Sequence, residues 1–223
     1  MMQRTPEPEL MDEAEQARAY AWADFDAPHQ FFIDCFQQRF TNKHLHGNVL
    51  DLGCGPADIS VRFARAYPHC HIDGIDGAEA MLAEGRERLA REQLTERIHL
   101  YRVNLPRDTI PVPAYDVIIS NSLLHHLHDP QVLWQAVKQH GRPGTPVFVM
   151  DLQRPASPQE ARELMEQYAA SEPPILQRDF YHSLCAAFTP EEVRQQLHQV
   201  GLDYLEVKSV SDRHLVVQGH LGE

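Results

Sequence analysis

Val49-Leu50-Asp51-Leu52-Gly53-Cys54-Gly55-Pro56-Ala57-Asp58 is the stretch whose reading decides the fold. An apolar run long enough for a buried strand turns through two glycines and enters a helix-compatible segment opened by Pro56. Glycine at 53 and 55 permits positive φ and lets a ligand approach backbone that a Cβ would screen. Asp51 sets a carboxylate at the carboxyl end of the strand, where open parallel sheets bind their ligands. A dinucleotide fingerprint needs a third glycine three residues after the second, and this chain has Asp58 there.

The order acid-x-Gly-x-Gly, carried by Asp51, Gly53 and Gly55, resembles motif I of the class I S-adenosylmethionine-dependent methyltransferases. The resemblance implies that Asp51 accepts a hydrogen bond from the cofactor's amino group. It also implies that Gly53, Cys54 and Gly55 pass under the methionine part. Further on, His71-Ile72-Asp73-Gly74-Ile75-Asp76 reads as a second strand ending in an acid about 20 residues past the glycine turn, the position that holds a ribose diol. Capping of the following helix is the competing role for Asp76. Asp73, on the other parity, reads as structural or solvent-facing.

Residues 97 to 103 form a third strand closed by Asn104. The family commonly has an Asp here that accepts from the adenine amino group; an Asn amide both accepts and donates. Gly77 and Leu105, which follow the two strand-end polar residues, complete the expected cofactor contacts, together with Asn121 at the end of the fourth strand. Polar groups at Asp51, Asp76, Asn104 and Asn121 repeat at successive strand ends, the signature of a crevice along one sheet edge.

Leu124-His125-His126-Leu127-His128-Asp129-Pro130 resembles the segment after strand four in small-molecule methyltransferases. The Ser120-Asn121-Ser122 ahead of it lacks the proline-aromatic signature of enzymes that methylate nucleobase or glutamine nitrogens. A metal site is not expected: adjacent histidines on a helical turn diverge by about 100° and no thiolate lies near. A histidine there suits a general base, with His126 preferred to His125. Asp151, at the end of a fifth strand, and Tyr181 and His182, in the segment after it, are the other candidate catalytic groups. Arg154 or Arg178 could hold an anionic substrate group.

Upstream, residues 1 to about 10 read as a mobile tail and two helices follow, the second starting beyond Pro28. Their aromatic residues, Tyr20 among them, either dock on the sheet or cover the cofactor. Downstream, Thr189-Pro190-Glu191-Glu192 opens a helix that Gly201 closes, and two alternating segments make a terminal hairpin.

The resemblance, which spans roughly residues 45 to 220, implies an α/β, doubly wound, Rossmann-like sheet of seven strands in the order 3-2-1-4-5-7-6. The last strand is antiparallel, and a helical insertion follows strand five. Residues 1–44 are expected as an N-terminal helical arm and residues 45–223 as the methyltransferase domain, with 152–188 as the substrate side. The expected activity is transfer of the S-adenosyl-L-methionine methyl group to a small-molecule acceptor. A nicotinamide-dependent oxidoreductase is opposed by Asp51 and Asp58, while a non-enzymatic cofactor-binding module serving a partner protein fits the same motifs. A net charge of −12 argues against nucleic acid. Four scattered cysteines, an acidic start and no run of membrane-spanning length point to the cytoplasm, and a homodimer is compatible.

Overall fold

The computed structural model describes residues 2–42 and 44–222. Seven strands form one sheet: β1 (His46–Leu52), β2 (His69–Asp76), β3 (Ile98–Arg102), β4 (Val117–Asn121), β5 (Pro146–Leu152), β6 (Glu206–Ser209) and β7 (His214–His220). Their spatial order is β3-β2-β1-β4-β5-β7-β6, with β1 to β5 parallel and β7 antiparallel to both neighbours. The chain reverses its direction of winding between β1 and β4, and that reversal opens a crevice at the strands' carboxyl ends.

Period-two alternation divides the buried side chains between two cores. Leu50, Leu52, Ile118, Val147 and Val149 face one side, where α5 (Gln131–His140) and α8 (Pro190–Val200) supply Trp134, Val137, Val193 and Leu197. The Trp134 indole N–H is satisfied in this core by Gln196 Oε1 at 3.0 Å. Val49, Ile72, Val117, Ile119 and Phe148 face the other side, against α2 (Asp26–Arg39) and α3 (Asp58–Ala66). Phe36 of α2 lies at the centre of that core, with ring centroids 4.9 Å from Phe63 and 5.7 Å from Phe148.

Three expectations change. Pro28 does not break α2 but sits within its first turn, where backbone N–H groups lack helical partners in any case. Pro56 does not open α3; that helix starts at Asp58 behind Ala57, which takes φ of 62°. Residues 2–9 are a docked strap, not a mobile tail. The Met2 N–H bonds the Ala156 carbonyl, the Thr5 N–H bonds that of Cys185, and the Arg4 guanidinium lies 4.0 Å over the Phe188 ring. Arg4 also donates to the carbonyls of His125, Leu127 and Ala186, so one half-buried fork ties the strap to the turn after β4 and to a helix end.

After the strap, α1 (Ala14–Trp22) packs on α4 (Glu79–Glu92) through Ala17, Ala78 and Met81. The segment after β5 forms α6 (Pro158–Ala169) and α7 (Pro174–Ala186), which pack together over the same end of the sheet. The helix α8 carries a full capping box between Thr189 and Glu192, and Gly201 ends it at φ of 70°.

Candidate active site

The carboxyl ends of β1, β2 and β4 and the loop after β3 open into one cavity of about 970 Å³, roofed by α1, α2, α7 and the strap. The glycine turn forms its floor. Gly53 has φ of 72°, and a Cβ on it would come within 2.8 Å of the Leu123 side chain, so both conformation and packing demand glycine. At Gly55, φ of 50°, a Cβ would meet nothing within 4 Å, because that face looks onto the cavity. The turn is pinned to β2 by Gly53 and Cys54 N–H groups, which both donate to the Ile75 carbonyl.

Asp76 is bound from both sides: Gly55 N–H donates to Oδ2 at 2.9 Å and Ala78 N–H to Oδ1 at 2.8 Å. The capping role is not met, because α4 starts at Glu79 behind Ala78 without a side-chain cap and Asp12 takes the Ala80 N–H; the ribose role stays open, since each oxygen keeps a second lone pair. Burial raises its pKa and the backbone bonds hold it down. Asp51, 1% exposed, accepts from Ser60 Oγ at 2.5 Å. Burial pushes its carboxyl up to about 7, against the pull of Ser60 and with the push of Asp76. A buried carboxyl poised in this way is a seat for a ligand ammonium, which would restore the ionised form.

Asn104, Leu105, Asn121, Gly77, Cys54 and Tyr20 also line the cavity. Asp108 takes the Asn104 backbone N–H at 2.8 Å, and Nδ2 is 3.3 Å from the same oxygen. Tyr20 packs its ring on Phe25, centroids 4.7 Å apart, and burial raises its hydroxyl to about 12, so it is a neutral donor. Every residue assigned to the cofactor from sequence thus borders one volume. Asp58, which replaced the third glycine of a dinucleotide site, has another task. It accepts from His29 at 2.7 Å, Arg62 at 2.7 Å and Arg88 at 2.8 Å, and these partners outweigh burial to hold it well below the carboxylate range.

At the far side of the cavity stand His125 and His126, on the short 3₁₀ turn Leu124–His126 after β4. His125 Nδ1 lies 2.5 Å from Asp151 Oδ1, while the second Asp151 oxygen takes the Leu124 N–H at 2.7 Å. Burial works against charge on His125, yet the facing carboxylate raises its pKa overall. His126 is driven the other way, well below the ordinary histidine value, by burial and by the His125 charge. Its Nδ1 is buried without a hydrogen-bond partner among the described residues. The two rings stack at 4.2 Å with planes inclined by 36°, and Glu7 Oε1 lies within 3.5 Å of both. Contrary to the expectation of no metal site, Glu7, His125 and His126 each offer a ligand atom, all within 4.8 Å of one another, a donor set that could hold a metal ion.

The other catalytic candidates fall away from the cavity. Asp151 is fully engaged, by His125 Nδ1 and by the N–H groups of Leu124 and Leu152. Tyr181 and His182 do not line the cavity; helical spacing turns Leu176, Asp179, Phe180 and Ser183 of α7 toward it instead. Tyr181 packs with Leu152 and Leu184. Arg154 binds Glu192 and the Ala187 carbonyl, and Arg178 pairs with Asp179 at the surface, so neither faces a substrate. Arg213 does line the cavity, its guanidinium 3.4 Å over the Tyr168 ring. No local pattern in the hairpin marks that position. His29, Met11 and His214 were missed for the same reason.

A seven-stranded 3-2-1-4-5-7-6 sheet with acids at its first two strand ends defines a class I methyltransferase scaffold. Comparison with known proteins agrees. The profile of a family described as a methyltransferase domain matches residues 50–147. Trans-aconitate 2-methyltransferase of Variovorax paradoxus is 32% identical over 128 residues, covering 56% of this chain and 45% of that protein. The chain spans less than half the length of the curated relatives it matches. Among solved structures, a Methanococcus maripaludis protein assigned as an S-adenosyl-L-methionine-dependent methyltransferase superposes with a TM-score of 0.72 at 15% identity, over 98% of both chains. The plantazolicin methyltransferase BpumL, solved with an azole substrate analogue and S-adenosylhomocysteine, gives 0.65 at 14% identity, over 92% of this chain and 91% of that one. The chain therefore has the fold of the class I S-adenosylmethionine-dependent methyltransferases, and its residues 50–147 match a methyltransferase-domain family.

Proposed function

We propose that this chain transfers the methyl group of S-adenosyl-L-methionine to a nucleophilic atom of a small-molecule acceptor. The observation that carries this reading is the single cavity joining Asp51 and Asp76 at one side to the His125–Asp151 pair at the other. Asp51 would hold the cofactor's amino group, Asp76 its ribose hydroxyls, and the open face of Gly55 its methionine chain. Asn104 and Leu105 would border the adenine. When bound, the cofactor supplies a methyl group already activated by a sulfonium, so that an acceptor lone pair displaces the thioether in line.

The chain's own contribution is then alignment, exclusion of water and removal of one proton. His125, held by Asp151, keeps its neighbour neutral, and neutral His126 takes the proton of a hydroxyl, thiol or ammonium acceptor. Asp151 is a positioning residue for this pair. Phe180, Leu176, Tyr168 and Arg213 form the acceptor wall, a mixture of apolar surface and one stacked cation. Four free cysteines and the acidic balance support a reducing, cytoplasmic setting and an acceptor other than nucleic acid.

Two measurements test the reading. Calorimetry should show S-adenosylhomocysteine binding that Asp76→Ala abolishes, with NADH and NADPH giving no heat. Incubation with methyl-labelled cofactor and a fractionated small-molecule extract should label a low-mass product. Binding without labelling of any fraction would favour a cofactor-binding module that serves a partner instead.

A further inference from the structure

The strap brings one acid to a place no sequence pattern foretells. Glu7 Oε1 lies 3.3 Å from His126 Nδ1 and 3.5 Å from His125 Nε2, and the Ser183 hydroxyl on α7 donates to the same oxygen at 2.9 Å. On the opposite edge of His125 stands Asp151, so one imidazole is bracketed by two carboxylates from segments more than a hundred residues apart. Strap backbone locks this arrangement: the His128 ring N–H meets the Glu7 carbonyl at 2.9 Å, and Glu9 accepts the His128 backbone N–H at 2.8 Å. Arg4 completes the clasp from below through the carbonyls of His125 and Leu127.

We propose that Glu7 is a positioning residue of the acceptor site, the counter-ion that the strap delivers to the histidine pair, and that the site is complete only with the strap docked. Neutral His126 leaves Nδ1 unpartnered in a buried position. With Nδ1 buried, the acceptor's proton must arrive at Nε2, so Nδ1 carries the N–H of the neutral ring, and Glu7 Oε1, 3.3 Å away, is the carboxylate that faces the imidazolium once it forms. The charge produced by the reaction is thereby matched by a charge already in place, without solvent reorganisation. Groups facing this cluster are Asp151 from β5, Arg4 from the strap, and Asp179, His182 and Ser183 from α7. Asp151 and Glu7 favour the imidazolium and Arg4 opposes it, so removing Glu7 leaves Asp151 alone against Arg4. Burial pushes the Glu7 carboxyl up and His125 draws it back, as expected of a shared cluster.

This inference rests on the functional reading for its purpose, but its test does not need an acceptor. Protein labelled with ¹⁵N at histidine is titrated by NMR, with and without S-adenosylhomocysteine, as wild type and as Glu7→Gln. Loss of an opposite charge at this distance should lower the His125 midpoint by about one pH unit or more. Ser183→Ala should give a smaller displacement of the same sign. Unchanged histidine midpoints in a folded Glu7→Gln protein overturn the proposal. If Glu7→Gln fails to fold, an unmoved midpoint in Ser183→Ala overturns it equally. Failure of wild type to bind S-adenosylhomocysteine would sink the methyltransferase reading while leaving the titration result intact.

Discussion

With Asp51 holding the cofactor's amino group as proposed, its carboxyl should couple cofactor affinity to pH by an amount that follows from its surroundings. Enclosed at 1% exposure and pushed up to about 7, it is largely protonated at pH 6 while the cofactor site is empty. An incoming ammonium needs the ionised form, so the proton must leave as the ligand arrives. Below pH 7 each unit of acidification should weaken S-adenosylhomocysteine about tenfold, or ~1.4 kcal/mol. The assay is calorimetry from pH 5.5 to 7.5, repeated in buffers of different ionisation enthalpy to count the protons released. Release should approach one proton at pH 6 and fall to about half of one near pH 7. Asp51→Asn should bind poorly at pH 7.5 and show a much flatter profile. A wild-type Kd constant within twofold across that range, or a slope that survives in Asp51→Asn, refutes the reasoning.

Further outcomes follow from the same geometry. Because the Asp51 pKa is raised on folding, its contribution to the stability of the ligand-free protein is full below the unfolded carboxylate pKa and is lost as pH climbs through about 7; thermal scans of Asp51→Asn should therefore gain on wild type from pH 5.5 to pH 8. Gly53→Ala forces an L residue to φ of 72° and a Cβ to 2.8 Å from Leu123, a cost of about 1–3 kcal/mol in urea unfolding, together with weaker S-adenosylhomocysteine binding. Phe36→Ala empties the centre of the helical-arm core and should cost about 3–5 kcal/mol in the same assay. Thr189→Ala removes one half of a capping box far from the cavity; it should lower stability by about 1 kcal/mol and leave ligand affinity unchanged.

That the residues proposed for the cofactor would line one cavity was legible because each stands where a run of one periodicity stops. Asp51, Asp76 and Asn121 end apolar strand patterns, and the turn chemistry of Gly53 and Gly55 is local. The acceptor half was not. Glu7 and Arg4 reach His125 across more than a hundred residues, and their own segment, with two prolines and no apolar period, carries no sign of docking. Tyr181 and His182 were chosen by residue type, whereas the angular phase of α7, fixed by packing on α6, turned Phe180 and Ser183 inward. Arg213 was hidden for the converse reason: a charged residue in a hairpin turn looks like any solvated one until its ring partner, Tyr168, arrives from α6.

Asp58 gathers His29, Arg62 and Arg88, and through them more than its own helix. Arg62 also reaches Asp26 at the head of α2, and Arg88 reaches the Ala21 carbonyl near the end of α1. The two helices from the first forty residues that cover the cavity, α1 and α2, are thus fastened at one rivet, close to their joint. Losing that rivet would free α1 and α2 together, whereas the strap of residues 2–9 is held by bonds of its own, to the turn after β4 and to α7.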